Sequence, residues 1–160
     1  MATIQKIRPC LWFDREAEDA AKHYVAIIPG SSLGGVTRYG KGMPLPEGTA
    51  LTVEFELAGQ RFVALNGGPM FKFTEAISLM VDCDDQVEVD TLWERLSDGG
   101  SKSRCGWLKD KYGLSWQIVP SAMQRMIKSG NAAGSGRMMQ AMMGMTKLDI
   151  AALQAAFDGR

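Results

Sequence analysis

Leu51-Thr52-Val53-Glu54-Phe55-Glu56-Leu57-Ala58-Gly59-Gln60-Arg61-Phe62-Val63-Ala64-Leu65-Asn66 is the stretch on which the fold turns. Leu51, Val53, Phe55 and Leu57 alternate with Thr52, Glu54 and Glu56, the two-residue period of a strand with one apolar and one polar face. Ala58-Gly59-Gln60 then reverses the chain into Arg61 to Asn66, which makes a hairpin. An isolated hairpin is marginal in water, so its apolar face needs a cover.

That cover lies upstream. From Glu16 to Ile28, Ala17, Ala20, Ala21, Tyr24, Val25 and Ile28 recur at helical spacing until Pro29-Gly30 stops the segment. Before the helix, Lys6 to Phe13 alternates as a strand, with Pro9 confining it to an edge or early position because proline cannot donate to a ladder. A further strand is expected from Leu33 to Tyr39. The first half therefore reads β-α-β-β-β.

Downstream the same order returns. Asn66-Gly67-Gly68-Pro69 breaks the chain and Ala76 to Val81 alternates again. Asp84-Asp85 offers a cap for a helix from about Gln86 to Leu96, which Gly99-Gly100 ends. A short extended stretch from Cys105 to Lys109, a turn at Asp110-Lys111-Tyr112-Gly113 and a strand from Leu114 to Val119 complete a second module. After Pro120 the pattern becomes helical, with a short helix around Ala122 to Ile127, a Met-rich one from Arg137 to Met145 and a third from Asp149 to Phe157. Methionine's flexible thioether suits irregular gaps, so the Met-rich tail is read as packing. The fold class is α+β: two βαβββ-type modules, about 5–68 and 74–120, and a helical tail, 121–160, in one domain spanning 1–160.

Composition bounds the function. Lys plus Arg and Asp plus Glu each number 18, so no large field of one sign favours nucleic acid or a membrane surface. No apolar run approaches the roughly 20 residues that span a bilayer, and the N-terminus lacks a signal-peptide core, which sets a cytoplasmic expectation. Cys10, Cys83 and Cys105 are an odd set on separate segments, better suited to a reducing compartment than to a disulfide framework.

Leu11-Trp12-Phe13-Asp14 followed by Ala17-Glu18-Asp19-Ala20-Ala21-Lys22-His23-Tyr24 resembles the opening of the PhnB-like branch of the vicinal-oxygen-chelate (glyoxalase/bleomycin-resistance/dioxygenase) superfamily. Leu51 to Leu57, Ala64-Leu65-Asn66-Gly67-Gly68-Pro69, Phe71 to Ser78, Cys105 to Asp110 and Ser115 to Pro120 are similar to it too, as is the tail through Leu148-Asp149-Ile150-Ala151-Ala152-Leu153. The resemblance implies strands curled into a cup, a homodimer, and a ligand or metal bound inside. Branch members are often labelled 3-demethylubiquinone-9 3-methyltransferases. Gly67-Gly68 is too short a glycine cluster for a nucleotide-binding fingerprint.

Superfamily enzymes hold a divalent ion through His or Glu on the first and last strands of each module. Matching strands by alternation puts those positions at Arg8, Asn66, Ala76 and Gln117. A guanidinium, a methyl group and two neutral amides are poor ligands, and the lone His23 lies on a helix. No metal and no other cofactor is expected. The strand parity that sends Ile7, Leu11 and Phe13 toward the helix sends Arg8, Cys10 and Trp12 to the opposite, concave face. Asn66, Ser78, Met80, Cys105, Trp107, Lys109, Ser115 and Gln117 are expected there as well, whereas Trp116 goes to the helix side. Arg8, Cys10, Trp12, Asn66, Ser78, Cys105, Trp107, Lys109 and Gln117 are the pocket candidates, and Arg8 or Lys109 suits an anionic group. Glu54 and Glu56 are expected to meet solvent or a partner arginine.

These readings converge on a small-molecule binding protein, or a diverged metal-independent enzyme of the superfamily, pairing with itself. A metal-dependent glyoxalase or dioxygenase, and a methyltransferase acting on a demethylubiquinone-like substrate, are the alternatives.

Overall fold

The computed structural model describes residues 5–160. The chain divides into two units, the first ending at Lys72 and the second running from Phe73 to Arg160. The helical tail thus belongs to the second unit.

In the first unit β1 (Cys10–Phe13), α1 (Ala17–Ile27), β2 (Ser32–Arg38), β3 (Ala50–Leu57) and β4 (Gln60–Asn66) follow one another. The sheet order is β1-β4-β3-β2, with β1 parallel to β4 and the other pairs antiparallel. The hairpin is tighter than the sequence predicts. Leu57 pairs with Gln60, leaving Ala58 and Gly59 as the turn, both at positive φ of 47° and 87°. That double left-handed turn matches the right-handed twist of the strands, and Gly59 adopts it without steric cost. Val53, Phe55 and Leu57 are buried under α1, whose Ala17, Ala20 and Ala21 have no exposed surface and bring the helix close to the sheet. Tyr24, Phe55 and Phe62 fill the space between, the two phenylalanine rings stacked 5.3 Å apart. β1 begins at Cys10 rather than Lys6. Pro9 has no N–H to give, although its carbonyl still accepts from Val63 N at 3.0 Å. β2 is a sheet edge with all seven residues exposed.

The second unit repeats the plan with β5 (Ser78–Cys83), α2 (Gln86–Ser97), β6 (Ser101–Lys102), β7 (Trp107–Lys109) and β8 (Ser115–Pro120), ordered β5-β8-β7-β6. β5 and β8 are parallel, the other pairs antiparallel. Asp85 caps α2 by accepting from Glu88 N at 2.8 Å, and the Glu88 carboxylate accepts in return from Asp84 N at 2.6 Å. The stretch predicted as a strand from Cys105 begins at Trp107, because Cys105 (φ 58°) and Gly106 (φ 80°) form a left-handed turn. Their amides donate to Met145 and Thr146 carbonyls of the tail.

That tail comprises α3 (Ser121–Lys128), α4 (Ala132–Met143) and α5 (Ile150–Asp158). α4 starts earlier than its apolar pattern predicts, since Asn131 accepts from Gly134 N and caps a first turn that opens on Ala132 and Ala133, both strong helix formers. Met123, Met126 and Met138 are buried with Val119, Ala122, Leu148 and Leu153, so these methionines do pack a core, whereas Met139 and Met143 are exposed. Gln86 of α2 binds the tail from both ends of its amide: Nε2 donates to Leu148 O and Oε1 accepts from Ile150 N. Lys147 pairs with Asp90 at 2.8 Å. No described helix is long and apolar enough to cross a membrane.

Candidate functional site

Each sheet has one face against its helices and one open face, and the open faces carry the chemistry. In the first unit Cys10 and Trp12 stand on the open face beside Val63 and Leu65, their register partners on β4. Arg8 joins them through a 2.6 Å ion pair with Glu54, the arginine partner expected for that carboxylate. The Thr37 and Thr52 hydroxyls hydrogen-bond beside them. Arg8, Thr37, Thr52, Glu54 and Val63 line a shallow groove of about 410 Å³. Partial burial raises the Cys10 thiol above its ordinary pKa, with the Arg8 charge pulling the other way.

Trp12 is committed to the chain itself. Its indole N–H donates to Gly68 O at 2.9 Å, and Phe71 meets its ring edge-on at 4.8 Å. Gly67 lies so close beneath that a Cβ there would sit 2.3 Å from the indole, which explains the glycine.

Asn66 does not share the open face. It is 1% exposed, and its carboxamide accepts from Ala17 N and donates to Ala50 O, both at 2.9 Å. Glu16, which precedes α1, makes no capping bond, so Asn66 supplies the cap from another strand. The reason is its parity with Phe62 and Ala64, the buried residues of β4.

In the second unit Ser78, Met80, Trp107, Lys109, Ser115 and Gln117 share the open face through the pairs Ser78 with Ser115, Met80 with Gln117, Trp107 with Gln117 and Lys109 with Ser115. Gln117 donates to Ser78 Oγ at 2.9 Å. Lys109 Nζ lies 2.5 Å from Glu75, and that hydrogen bond holds the Glu75 carboxyl below the usual range. Ser115 is wholly buried, and its hydroxyl has no hydrogen-bond partner among the described residues. Trp116, one residue on, turns to the helix side as its parity requires and donates to Asp110 at 2.9 Å.

A cleft of about 540 Å³ opens over this face, lined by Glu75, Lys102, Arg104, Cys105, Trp107, Lys109 and Ser115 among others. Cys105, Trp107 and Lys109 were legible as candidates. Lys102 and Arg104 were not, since they lie in the Ser101-Lys102-Ser103-Arg104 segment, whose polarity reads as an ordinary connection. Gly100 lets that segment approach: a Cβ there would sit 2.0 Å from the Lys109 carbonyl oxygen.

A divalent ion does not fit these residues. Arg8 is cationic and bonded to Glu54, Ala76 has no donor atom, the Gln117 amide is bonded to Ser78, and Asn66 is turned under α1. Among the described residues no three His, Cys, Asp or Glu side chains converge, and His23 lies on α1 with its ring 5.9 Å from that of Tyr24.

Residues 5–119 match the 3-demethylubiquinone-9 3-methyltransferase family. The chain belongs to that family. The PhnB protein of Bacillus cereus, provisionally described as a 3-demethylubiquinone-9 3-methyltransferase, is 34% identical, with a TM-score of 0.68 over 72% of this chain and 99% of its own. Protein PA1353 of Pseudomonas aeruginosa is 19% identical and shares the fold, with a TM-score of 0.61 over 73% of this chain and 98% of its own. No curated protein matches. The family match takes in both modules and ends before the tail, so the expected likeness of the tail lies outside it. Within the family's 5–119 span fall Trp107, Lys109, Ser115 and every other residue of the cleft.

Proposed function

We propose that this chain binds a small organic molecule on the open face of the second module, without a divalent metal, as a binding protein or as an enzyme diverged from the metal-dependent members of its superfamily. The observation that carries this reading is the cleft itself. Trp107, Lys109 and the buried Ser115 share a sheet face beneath about 540 Å³ of space, where Trp107, Leu108 and Cys105 offer apolar contact and Glu75, Lys102, Arg104 and Lys109 offer charge, a concave mixture suited to a small polar molecule. The donor chemistry at Arg8, Ala76, Asn66 and Gln117 supports the absence of a metal from the mechanism.

A thermal-shift screen of chelator-treated protein against divalent ions, S-adenosylmethionine and small metabolites tests the reading. A ligand at a hundred times its Kd adds about 2.7 kcal/mol, which raises Tm by roughly 5–10 °C in a chain of this size. A shift from an organic metabolite alone is expected. A shift from a divalent ion alone would overturn the metal-free reading, and one from S-adenosylmethionine would favour methyl transfer, which the family description names. The same reading has the chain pairing with itself, supported by the exposed Leu33 and Val36 on the β2 edge. A monomer mass in sedimentation at high concentration would refute it.

A further inference from the structure

The cleft in the second unit holds an unequal set of charges. Lys102, Arg104 and Lys109 line it, against the single carboxylate of Glu75. Lys102 is also paired with Glu94 at 3.0 Å, but Arg104 makes no ion pair among the described residues. In a chain whose formal net charge is zero, this is a local excess of positive charge on a concave surface, where fields are focused. The buried Ser115 hydroxyl is the second, independent sign. An unpaired buried hydroxyl is costly, and such groups are rare unless something else satisfies them. Its register partner is Lys109, so hydroxyl and ammonium stand side by side on one face.

We propose that the cleft takes a small oxyanion, a carboxylate or phosphate group borne on an apolar body, and that Glu75 occupies the seat of that anion until the ligand arrives. This rests on the small-molecule reading above and names its ligand class. The ligand anion takes the Lys109 ammonium from Glu75 and gains a second charge-assisted contact from Arg104. Ser115 Oγ–H donates to the anion once the bridge between Glu75 and Lys109 has opened. Trp107 flanks the apolar body. Glu75 is 62% exposed at its side chain and returns to water with little desolvation cost when displaced.

The test uses the full chain, the Trp107 indole resonance in ¹H–¹⁵N spectra, assigned with Trp107→Phe, and three probes at matched ionic strength: sodium benzoate, inorganic phosphate and neutral benzamide. Benzoate or phosphate is expected to move the resonance in a saturable way, with benzamide about tenfold weaker or silent, as the loss of a charge-assisted contact implies. Whichever anion binds tells carboxylate from phosphate. Glu75→Gln is expected to tighten the anion severalfold by removing its competitor, and Arg104→Gln and Lys109→Gln to weaken it about tenfold. Ser115→Ala separates ligand recognition from structure: the ligand-free variant is expected to melt at or above the wild-type temperature, since it loses only an unpaired group, while anion affinity falls.

Equal binding of benzamide and benzoate, or a Glu75→Gln variant that binds the anion no better, overturns the proposal. If the anions are silent while a neutral metabolite from the screen moves Trp107, the anion assignment fails and the small-molecule reading stands. If no probe or metabolite moves Trp107, both fall.

Discussion

Replacing Asn66 with alanine separates a ligand-pocket residue from a structural one. The Asn66 side chain makes two bonds in the core of the first unit, accepting from Ala17 N and donating to Ala50 O. Alanine removes both partners at once and supplies nothing in their place. A buried donor or acceptor left without its bond costs roughly 1–3 kcal/mol, so the two together cost about 2–6 kcal/mol. For a chain of this length that lowers Tm by roughly 5–15 °C. Gln117→Ala is the internal control. Gln117 is half-buried and makes a single side-chain bond, to Ser78, so its loss costs only about 0.5–1.5 kcal/mol. Urea unfolding followed by far-ultraviolet circular dichroism measures both, with α1 contributing to the signal that Asn66 guards. A destabilisation by Asn66→Ala no larger than that of Gln117→Ala, accompanied by loss of ligand binding, would refute the capping role and return Asn66 to the pocket.

Gly67→Ala places a methyl group 2.3 Å from the Trp12 ring, which must move and release its bond to Gly68; about 1–3 kcal/mol of destabilisation and altered tryptophan emission are expected, and an unchanged spectrum would contradict the packing. In native protein iodoacetamide is expected to label Cys10 before Cys83, which is buried and whose pKa is pushed up to about 12 by burial and nearby carboxylates; early modification of Cys83 would refute its protection. Met138→Ala is expected to cost roughly 2–5 kcal/mol and to leave the tail and second module unfolding together, whereas a separate tail transition would show that the tail is only loosely docked. The hydrogen bond from Lys147 holds the Asp90 carboxyl below its usual range, so its contribution is present above the unfolded pKa near 4 and is lost as pH falls through the lower folded value; Asp90→Asn is expected to flatten the acid limb of the stability curve, and an identical limb would dismiss the pair.

Local patterns carried most of the architecture. The alternation from Leu51 to Leu57, the helical spacing from Ala17 to Ile28 and the return of the same order after Ala76 follow from periods of two and 3.6 residues, and these belong to the chain itself. The same parity places Trp116 on the helix side, whereas Asn66, expected on the open face by that argument, shares the buried side of β4 with Phe62 and Ala64 and bonds to Ala17. Glu54 meeting an arginine was legible for the same reason.

Other features depended on residues distant in sequence. Lys109 stands beside Ser115, and both face the cleft that Arg104 enters, because β7 pairs with β8 in one register and Gly100 admits the preceding segment. Glu75 reaches Lys109 across 34 residues of chain, and Gln86 holds a tail segment more than 60 residues away. Cys105 lies in a left-handed turn whose amide is bonded to the tail. A strand's period says which side chains share a face, but the partner opposite each one is set by register, and register is chosen by the summed burial and hydrogen bonding of the whole unit. The sequence therefore determined the two modules and the residue types on their open faces, while tertiary packing decided which of them meet in one cleft.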